Sequence, residues 1–387
     1  MLPFYNKDHI TLRAKTRDWA EKNLFAASQP GIEERARTIT GQLGRETFLS
    51  YVIPKDYGGV RTQVEARDLC ILREELARAD ALADTMLAMQ AMGSYPITLA
   101  GQPEQKGLYL PAIAKGECMM AFALTEPEAG SDVSCLTTRA VRHGGVFRLS
   151  GTKRFVSNAG IADRYVVFAS TNPELRGKGI SAFIVDSTEP GVIIKELALL
   201  SPHPIGMVCF DDCIVPESNL IGGEGQGLQL AFQTLDLLRC TVGAAAVGFA
   251  QRALDEAILY SKQRHQFGRA IAQFQGVQFQ LAEMATSLEA ARLLVYQAAW
   301  AHDSGIDNVK QKSSMAKLYA TEAAQQIVDQ ALQIHGGNGL IAGSITERLY
   351  RDVRALRIYE GTSEIQKMII ARELLKMERA PATTTEH

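Results

Sequence analysis

One glutamate near the C-terminal end of the chain is well suited to acid–base chemistry. Glu360 lies in Ile358-Tyr-Glu-Gly-Thr-Ser-Glu-Ile-Gln366, where Ser363 and Gln366 have the spacing of a capping box that opens a helix. The positive end of that helix would favour an anion, and apolar neighbours could raise the pKa of the carboxyl toward neutrality. Both conditions suit a base that removes a carbon-bound proton at pH 7. A carboxylate that serves only the helix dipole would have the same sequence.

Two segments in the middle of the chain could hold a planar cofactor. Phe122-Ala-Leu-Thr-Glu-Pro-Glu-Ala-Gly-Ser-Asp132 leads an apolar strand into a turn whose hydroxyls and backbone NH groups can bind carbonyl or ring-nitrogen acceptors. Gly151-Thr-Lys-Arg-Phe-Val-Ser-Asn158 is typical of a strand whose alternation places Phe155 and Ser157 on one face, an aromatic platform beside a hydroxyl. A plain surface loop and a core phenylalanine would explain the same patterns.

Two further segments carry candidate phosphate-binding groups. Gln263-Arg-His-Gln-Phe-Gly-Arg269 lies between two long predicted helices, and Arg264 there could pair with a pyrophosphate because its guanidinium matches two anionic oxygens. A solvated arginine is the alternative. The glycine-rich Gln333-Ile-His-Gly-Gly-Asn-Gly339 precedes the Glu360 segment.

The composition is that of an ordinary globular protein. Hydrophobic residues make up 46% and charged residues 22% of the 387 residues, enough for two or three packed sub-domains. The net charge of −2 argues against binding to nucleic acid or an anionic membrane. The cysteines form no CxxC pair and no signal peptide opens the chain, which predicts a reduced, cytoplasmic protein. Cys209 and Cys213 are predicted to be buried rather than metal-bound, and the longest apolar run, Val242–Ala250, is shorter than a bilayer span.

These segments need elements that position them. Helical spacing dominates from His9 to about Leu110 and returns after the glycine cluster Gly222–Gly227, with turn-separated β-rich runs between. The β-rich runs are Val146–Leu149, Tyr165–Ala169, Ser181–Val185 and Met207–Phe210. Helical stripes follow at Leu281, Met284, Leu288, Ala291, Val295 and Ala298, and at Ala320, Ala324, Ile327, Ala331 and Ile334. The predicted fold is mainly α with a central β domain: an N-terminal α-helical domain (1–118), a small, mostly antiparallel β-barrel or sandwich domain (119–221), a C-terminal four-helix bundle (222–379) and a disordered tail (380–387).

Taken together, the four segments resemble the acyl-CoA dehydrogenase family in order and spacing. Both signature regions are present, ALTEPEAGSD over Ala123–Asp132 and the stretch Gln333–Gln366, and the similarity spans about Lys7 to Lys376. The resemblance implies an FAD-dependent enzyme that removes two hydrogens from the α and β carbons of an acyl-CoA thioester. It also implies a homotetramer, or a dimer, with FAD between the β unit and the bundle. The absence of GxGxxG agrees with this, because the family binds FAD without a Rossmann unit.

The resemblance implies roles for individual residues. For the flavin ring, the implied cofactor-binding residues are Phe122, Leu124 and Thr125 at the isoalloxazine edge, with Phe155 and Ser157 against the other side; Gly130 and Ser131 lie near the pyrophosphate. The residues implied at the adenosine diphosphate of a flavin bound mainly by a neighbouring subunit are Arg264, Phe267, Gln275, Gln333, Gly336 and Gly337. Thr362 and Glu364 would close that site from their own chain. The substrate-binding set comprises Ser131, Asp236, Arg239 and Gly361. No metal is implied.

Glu360 matches one of the two positions at which the family carries its base. The other position matches Leu238, which cannot take a proton. The implied mechanism has Glu360 remove the α-proton while the β-hydride passes to flavin N5. The thioester carbonyl would be held by the Glu360 NH and a ribityl hydroxyl. The electrons would then pass to an electron-transferring flavoprotein.

The chain departs from the family pattern in two places. Phe155 replaces the usual tryptophan, and Leu197–Gly206 lacks the glycine, the arginine and the Ser/Thr-Arg pair that many relatives carry near the thioester and the electron-acceptor surface. CoA and a carrier protein both remain open as the acyl carrier. The helix predicted around Leu76–Met92 has methionines that either line an adaptable acyl pocket or fill the core.

Two different activities and one non-enzymatic role compete with dehydrogenation. An acyl-CoA oxidase would use the same base and pass electrons to oxygen. A flavin monooxygenase on this fold would lack a base at Glu360, and a nucleic-acid-associated relative would carry a basic C-terminal extension that this sequence does not show.

Overall fold

The N-terminal part of the protein is helical, as the apolar spacing predicts. A computed structural model describes residues 4–24 and 31–377. The first helices are α1 (Lys7–Asn23), α2 (Ile32–Arg45), α3 (Ala66–Ala79), α4 (Ala81–Ala100) and α5 (Pro103–Ala114). The side chains of Asn6 and His9 form a reciprocal capping box at the start of α1. Pro103 occupies the first turn of α5, where the absence of an NH leaves no hydrogen bond unmade.

The single helix expected around Leu76–Met92 is two helices. Asp80 has an extended backbone between α3 and α4, and its carboxylate caps α4 by accepting from the Ala83 NH at 3.0 Å. Met86 is fully buried and Met92 nearly so. Their burial agrees with core packing, and the acyl pocket stays a prediction.

One sheet follows the helices. Its strands are β1 (Met120–Ala123), β2 (Arg139–His143), β3 (Val146–Ser157), β4 (Arg164–Ser170), β5 (Ile180–Asp186), β6 (Val192–Glu196), β7 (Ile205–Pro216) and β8 (Leu220–Ile221). They pair in the order β6-β7-β3-β2-β4-β5-β8, and β1 joins β4 in parallel. The four predicted β-rich runs lie within β3, β4, β5 and β7, so the mostly antiparallel sheet is confirmed. Phe147, Tyr165 and Phe183 fill the core on one face.

The regular alternation expected at the end of β3 is interrupted. The register of β3 against β7 shifts between Lys153 and Val156, which is a β-bulge. Within the bulge Phe155 adopts a left-handed φ of 55° and stays half-exposed. A phenylalanine in this conformation is strained, and such strain is typical of functional sites.

Helices dominate again after the sheet. They are α6 (Gly227–Gln263), α7 (Gln275–Asp303), α8 (Val309–His335), α9 (Ile345–Arg354) and α10 (Ser363–Met377), and the short strands β9 (His265–Gln266) and β10 (Arg269–Ala270) follow α6. The predicted stripes on α7 and α8 are buried except for their end residues Leu281 and Ile334. A Cβ on Gly243 would lie 2.8 Å from Val295 Cγ2, so α6 and α7 approach closely only because Gly243 lacks one.

Helix α6 contains the apolar run Val242–Ala250, and the whole of that run is buried. The helix has 37 residues, and an 18-residue window reaches a mean hydropathy of 1.3, because the apolar run continues through interspersed polar residues. In that window 78% of the residues are buried, and a helix inside a protein core passes the same test. The finding is therefore weak evidence for a membrane span.

The described residues form two compact units. One comprises Tyr5–Leu238, and the other comprises Phe4 with the chain from Arg239 onward. The predicted three-domain division, with boundaries at 118/119 and 221/222, stays a prediction. The tail predicted at 380–387 lies outside the described residues.

Candidate active site

The turn that carries Glu360 has an unusual backbone. Glu360 has φ 51° and Gly361 has φ 88°, both left-handed. Glycine adopts this conformation freely, but glutamate does so at an energetic cost, so surrounding contacts must hold it there. Glu360 is partly buried, whereas Ile358 and Tyr359 are 55% and 37% exposed. Those two neighbours do not enclose the carboxylate in the way the sequence suggested.

Two buried side chains hold the carbonyls of this turn. Lys317 Nζ, on α8, donates to the Gly361 carbonyl at 2.7 Å. Gln366 Nε2, on α10, donates to the carbonyls of Glu360 at 3.3 Å and Gly361 at 3.0 Å. Lys317 and Gln366 are both fully buried. The left-handed turn is thus fixed by charged and amide donors that have few alternative partners.

Glu322 holds the two ends of the same turn. Its carboxylate accepts from Arg357 Nη2 at 2.7 Å, ahead of Glu360, and from Ser363 Oγ at 2.6 Å, behind it. Lys317 and Glu322 lie on one helix, so α8 contacts the turn at its middle and at both ends.

The capping box predicted from Ser363 and Gln366 is wrong. Thr362 caps α10 instead, because its Oγ1 accepts from the Ile365 NH at 3.3 Å. The Ser363 hydroxyl donates to Glu322, and the Gln366 side chain donates to the carbonyls of the Glu360 turn. These contacts differ from the reciprocal pair that the spacing suggested.

Lys317 is a buried cation whose electrostatic partner is the candidate base. Burial lowers the pKa of Lys317, to about 8, while the carboxylate of Glu360 acts in the opposite direction and nearby Arg239 lowers the pKa further. Arg239 is itself 5% exposed. A cation beside a carboxylate favours the ionised form, which is the form that accepts a proton.

The candidate cofactor loop after β1 is organised around a different buried ion pair. Lys153 Nζ, on β3, contacts Glu126 Oε1 at 2.8 Å and donates to the Leu124 carbonyl at 3.1 Å. The Glu126 carboxylate also accepts from the NH groups of Thr137 at 2.6 Å and Thr138 at 2.9 Å. One buried carboxylate therefore ties both ends of the loop to the sheet.

The pKa values of this pair follow from its surroundings. Burial alone would raise the pKa of Glu126, but the charge and hydrogen bond of Lys153 and the donors from Thr137 and Thr138 bring it down to about 2. Burial lowers the pKa of Lys153, to about 8, against the raising effect of Glu126. The pair is a closed ionic unit within the sheet.

The candidate cofactor residues of the segment after β1 divide into two groups, those proposed for the isoalloxazine edge and those proposed for the pyrophosphate. The Phe122 ring packs on Phe168 at 4.8 Å and is only 9% exposed, so the side chain belongs to the core. Leu124 is also buried, and the Thr125 carbonyl accepts from the Arg154 NH at 2.8 Å. Gly130 and Ser131 are exposed, and no atom lies within 4 Å of a Cβ placed on Gly130.

Phe155 and Ser157 provide an aromatic surface for stacking and a hydroxyl for hydrogen bonding, which a planar cofactor ring can use. The half-exposed Phe155 ring has the Arg154 guanidinium 4.9 Å from its centroid. Ser157 Oγ lies 3.1 Å from His203 Nε2. An aromatic face beside a hydroxyl fits the isoalloxazine of a flavin.

The residues proposed for the adenosine diphosphate lie in the segment between α6 and α7 and at the end of α8 with the turn after it. Tyr260, near the end of α6, stacks on His335 at 4.3 Å, and Asn338 Nδ2 donates to the Tyr260 hydroxyl at 2.9 Å. These contacts join the end of α6, which precedes the hairpin that bears Arg264 and Phe267, to the end of α8 and the turn after it. All the residues proposed for the adenosine diphosphate are exposed: Arg264, Phe267, Gln275, Gln333, Gly336 and Gly337.

The remaining predicted residues have varied settings. Leu238 is 1% exposed within α6 and has no titratable group, and Asp236 is partly buried. Glu364 is exposed on the first turn of α10, where backbone and Thr362 hydrogen bonds lower the pKa of its carboxyl. Among residues 4–24 and 31–377, no cluster of His, Cys, Asp and Glu could hold a metal ion.

Sequence reasoning missed both buried lysines, although the signal was present. Lys153 has the same strand parity as the inward-facing Phe147 and Leu149. Lys317 lies three residues before Ala320, so it continues the apolar stripe of α8. A lysine at an inward position needs a buried partner, and that requirement would have identified both.

The chain belongs to the acyl-CoA dehydrogenase family. It matches the N-terminal domain of these enzymes over residues 6–117, the middle domain over 121–213 and the C-terminal domain over 225–375. It is therefore an FAD-dependent oxidoreductase that acts on CH–CH bonds, and the exposed Phe155 beside Ser157 fits that cofactor.

Individual relatives resemble the chain over nearly its whole length. It is 41% identical to the 3-(aryl)acrylate reductase of Clostridium sporogenes, covering 96% of this chain and 100% of the relative. It is 39% identical to CarC, a subunit of the caffeyl-CoA reductase-Etf complex of Acetobacterium woodii, covering 96% and 100%. The structure of butyryl-CoA dehydrogenase from Megasphaera elsdenii is 33% identical, with a TM-score of 0.89 and coverage of 96% and 99%. These matches confirm the predicted family, fold and enzyme class.

Proposed function

We propose that this protein dehydrogenates an acyl-CoA thioester to the trans-2-enoyl-CoA, with Glu360 as the base that removes the α-proton. The observation that carries the proposal is the left-handed Glu360–Gly361 turn, in which the Gly361 carbonyl accepts hydrogen bonds from the buried Lys317 and Gln366 side chains. A strained turn held by buried side chains is the arrangement that aiming one carboxylate would require.

Each residue of the proposed catalytic and substrate-binding sets has a distinct role. Glu360 accepts the α-proton at a carboxylate oxygen, and its backbone NH with Gly361 holds the thioester carbonyl. Lys317 stabilises the ionised base, and Arg239 and Asp236 lie along the path of the acyl and pantetheine chain. FAD, when bound, would supply the acceptor for the β-hydride.

The sheet and the hairpin supply the proposed cofactor contacts. Thr125, Ser131, Phe155 and Ser157 bind the flavin, and Arg264 pairs with the pyrophosphate of a flavin bound mainly by a second subunit of a homotetramer or dimer. Thr362 and Glu364 close that site. We propose an electron-transferring flavoprotein as the acceptor and the cytoplasm as the location.

The same site could run in the reductive direction, and two relatives favour that second function. Both the Clostridium and Acetobacterium proteins are named as reductases, and one belongs to a complex with Etf. In this direction Glu360 would return a proton to the α carbon of an unsaturated acyl thioester. A carrier-protein thioester could also replace the CoA thioester, and oxygen could replace the flavoprotein as the electron acceptor.

Anaerobic bleaching of the bound flavin tests the proposal. Wild type is mixed with a panel of saturated acyl-CoA and acyl-carrier-protein thioesters that vary in chain length, branching and rings. Glu360→Gln should retain fold and FAD while the bleaching rate falls by about 10³-fold, within the range for loss of a general base. Admitting oxygen afterwards separates an oxidase from a dehydrogenase.

Glu373→Gln is the matched control, because Glu373 lies on α10, the helix that follows the Glu360 turn, and pairs with Lys376. It should bleach like wild type. Full-rate bleaching by Glu360→Gln would remove the catalytic role. If saturated thioesters leave the wild-type flavin oxidised while enoyl thioesters reoxidise the dithionite-reduced enzyme, the reductive function replaces the first.

A further inference from the structure

The loop Leu197–Gly206, where the chain departs from its relatives, places a histidine behind a proposed flavin ligand. His203 Nε2 lies 3.1 Å from Ser157 Oγ on β3, and His203 Nδ1 lies 3.1 Å from the Ser201 carbonyl oxygen. His203 and Ser157 are both partly buried. The histidine thus has a partner on each side of its ring.

The two partners fix the tautomer of the neutral ring. A carbonyl oxygen only accepts hydrogen bonds, so Nδ1 must carry the hydrogen that reaches Ser201. In neutral imidazole the other nitrogen is then an acceptor. Ser157 must therefore donate its single hydroxyl hydrogen to His203 Nε2.

The hydrogen bond from Ser157 to His203 determines whether Ser157 can donate or accept a hydrogen bond with a ligand. A hydroxyl has one hydrogen and two lone pairs. With the hydrogen directed at His203, Ser157 Oγ presents only lone pairs to a ligand and acts as an acceptor. Protonation of His203 reverses this, because Nε2–H then donates to Ser157 and the hydroxyl hydrogen becomes available to the ligand.

We propose that His203 is a positioning residue that sets the hydrogen-bond polarity of Ser157 toward the flavin, and thereby favours the reduced cofactor. The proposal rests on the proposed function, which places Ser157 against the flavin ring. The flavin nitrogen that receives the hydride is an acceptor when oxidised and carries a hydrogen when reduced. A lone-pair-only Ser157 binds the reduced form and repels the oxidised one.

The pKa of His203 keeps the ring neutral near pH 7. Burial lowers its pKa, and the hydrogen bond to the Ser201 carbonyl raises it to a smaller extent. Neither cause is a charged side chain. The groups that face His203 among the described contacts are Ser157 from β3 and Ser201 from its own loop, and neither titrates in this range.

Potentiometric titration of the FAD-bound full-length enzyme tests the proposal. His203→Phe keeps a ring but frees the Ser157 hydrogen, and should lower the ratio of reduced to oxidised affinity by about tenfold, a shift of about 30 mV to more negative potential for a two-electron couple. His203→Gln keeps an acceptor for Ser157 and should restore the wild-type potential near pH 7. His143→Phe, an exposed histidine on β2, is the control and should change nothing.

The pH dependence and a double variant complete the test. The difference in potential between wild type and His203→Phe should close as the pH falls below the His203 pKa, while the difference between His203→Gln and His203→Phe should persist. His203→Phe should have no further effect in Ser157→Ala. Equal shifts with and without Ser157, or an Nε2–H tautomer in the ¹⁵N spectrum of the holoenzyme, would overturn the proposal.

These outcomes separate this inference from the proposed function. An unchanged potential in Ser157→Ala would mean that Ser157 does not face the reactive nitrogen, and the inference would fail while Glu360-dependent bleaching stood. Full-rate bleaching by Glu360→Gln would defeat the proposed function without altering the Ser157 and His203 results.

Discussion

Two loops of this protein are each held by a buried lysine, and the two lysines do different things. Lys153 donates to the Leu124 carbonyl in the sheet, and Lys317 donates to the Gly361 carbonyl in the helical unit. Burial lowers both pKa values to about 8. Lys153 directly contacts Glu126, whereas the closest described contact of Lys317 is a carbonyl and its charge acts on Glu360.

The different partners of Lys153 and Lys317 show that a buried lysine can stabilise a fold or support a candidate catalytic residue. The Glu126 carboxylate has four donors, from Thr137, Thr138 and Lys153, and has no capacity left for a reaction. The Glu360 turn, in contrast, is held through the backbone carbonyls of Glu360 and Gly361. Replacing each lysine should therefore damage different properties.

The largest expected effect is on stability, from Lys153→Met. Removing the lysine leaves Glu126 buried without its counter-charge, which should cost about 3–5 kcal/mol of unfolding free energy. Urea unfolding followed by circular dichroism measures the loss. The double variant Glu126→Leu with Lys153→Met should recover part of it, and a double variant that is less stable than the single would contradict the account.

Acid should destabilise the sheet loop in a defined window. The pKa of Glu126 is about 2 in the folded protein, below the 4.5 of an exposed glutamate, so its ionised form stabilises the fold above pH 4.5. That contribution, at most about 3 kcal/mol, is lost as the pH falls from 4.5 through 2. Unfolding free energies measured over this range should fall less steeply in the Glu126→Leu, Lys153→Met double variant than in wild type.

Lys317→Met should affect turnover more than stability. Without its cation and its bond to Gly361, the base is less readily ionised and less well aimed, so kcat should fall by about 10- to 100-fold, equivalent to about 1.4–2.8 kcal/mol. Steady-state kinetics with the thioester identified by bleaching provide the measurement. Lys310→Met, at an exposed position on the same helix, is the control. A wild-type kcat in Lys317→Met would make the two lysines equivalent.

The smallest effect concerns the corrected helix cap. Thr362→Ala removes the hydroxyl that accepts from the Ile365 NH, and should cost about 1 kcal/mol of unfolding free energy. Urea unfolding checks it. A cost near zero would mean that Gln366 and Lys317 hold the turn without help from the cap.

The residue pattern predicted the helices and strands better than it predicted the side-chain contacts between them. The stripes of α7 and α8 and the four β-rich runs were readable because burial imposes a period on each element. The break at Asp80 and the bulge at Phe155 were not, since each depends on one local hydrogen bond or register shift. The predicted Ser363 cap is wrong because Thr362, one residue earlier, accepts from the Ile365 NH, while Ser363 donates to Glu322, which is distant in sequence.

The sequence by itself determined the family, the cofactor and the position of Glu360, because short motifs and periodic burial are local properties of the chain. Only the tertiary structure decided how that carboxylate is held. Lys317, Glu322 and His203 reach their partners across 44, 41 and 46 residues. Hydrogen bonds over such separations depend on how helices and strands pack, and no local pattern records them.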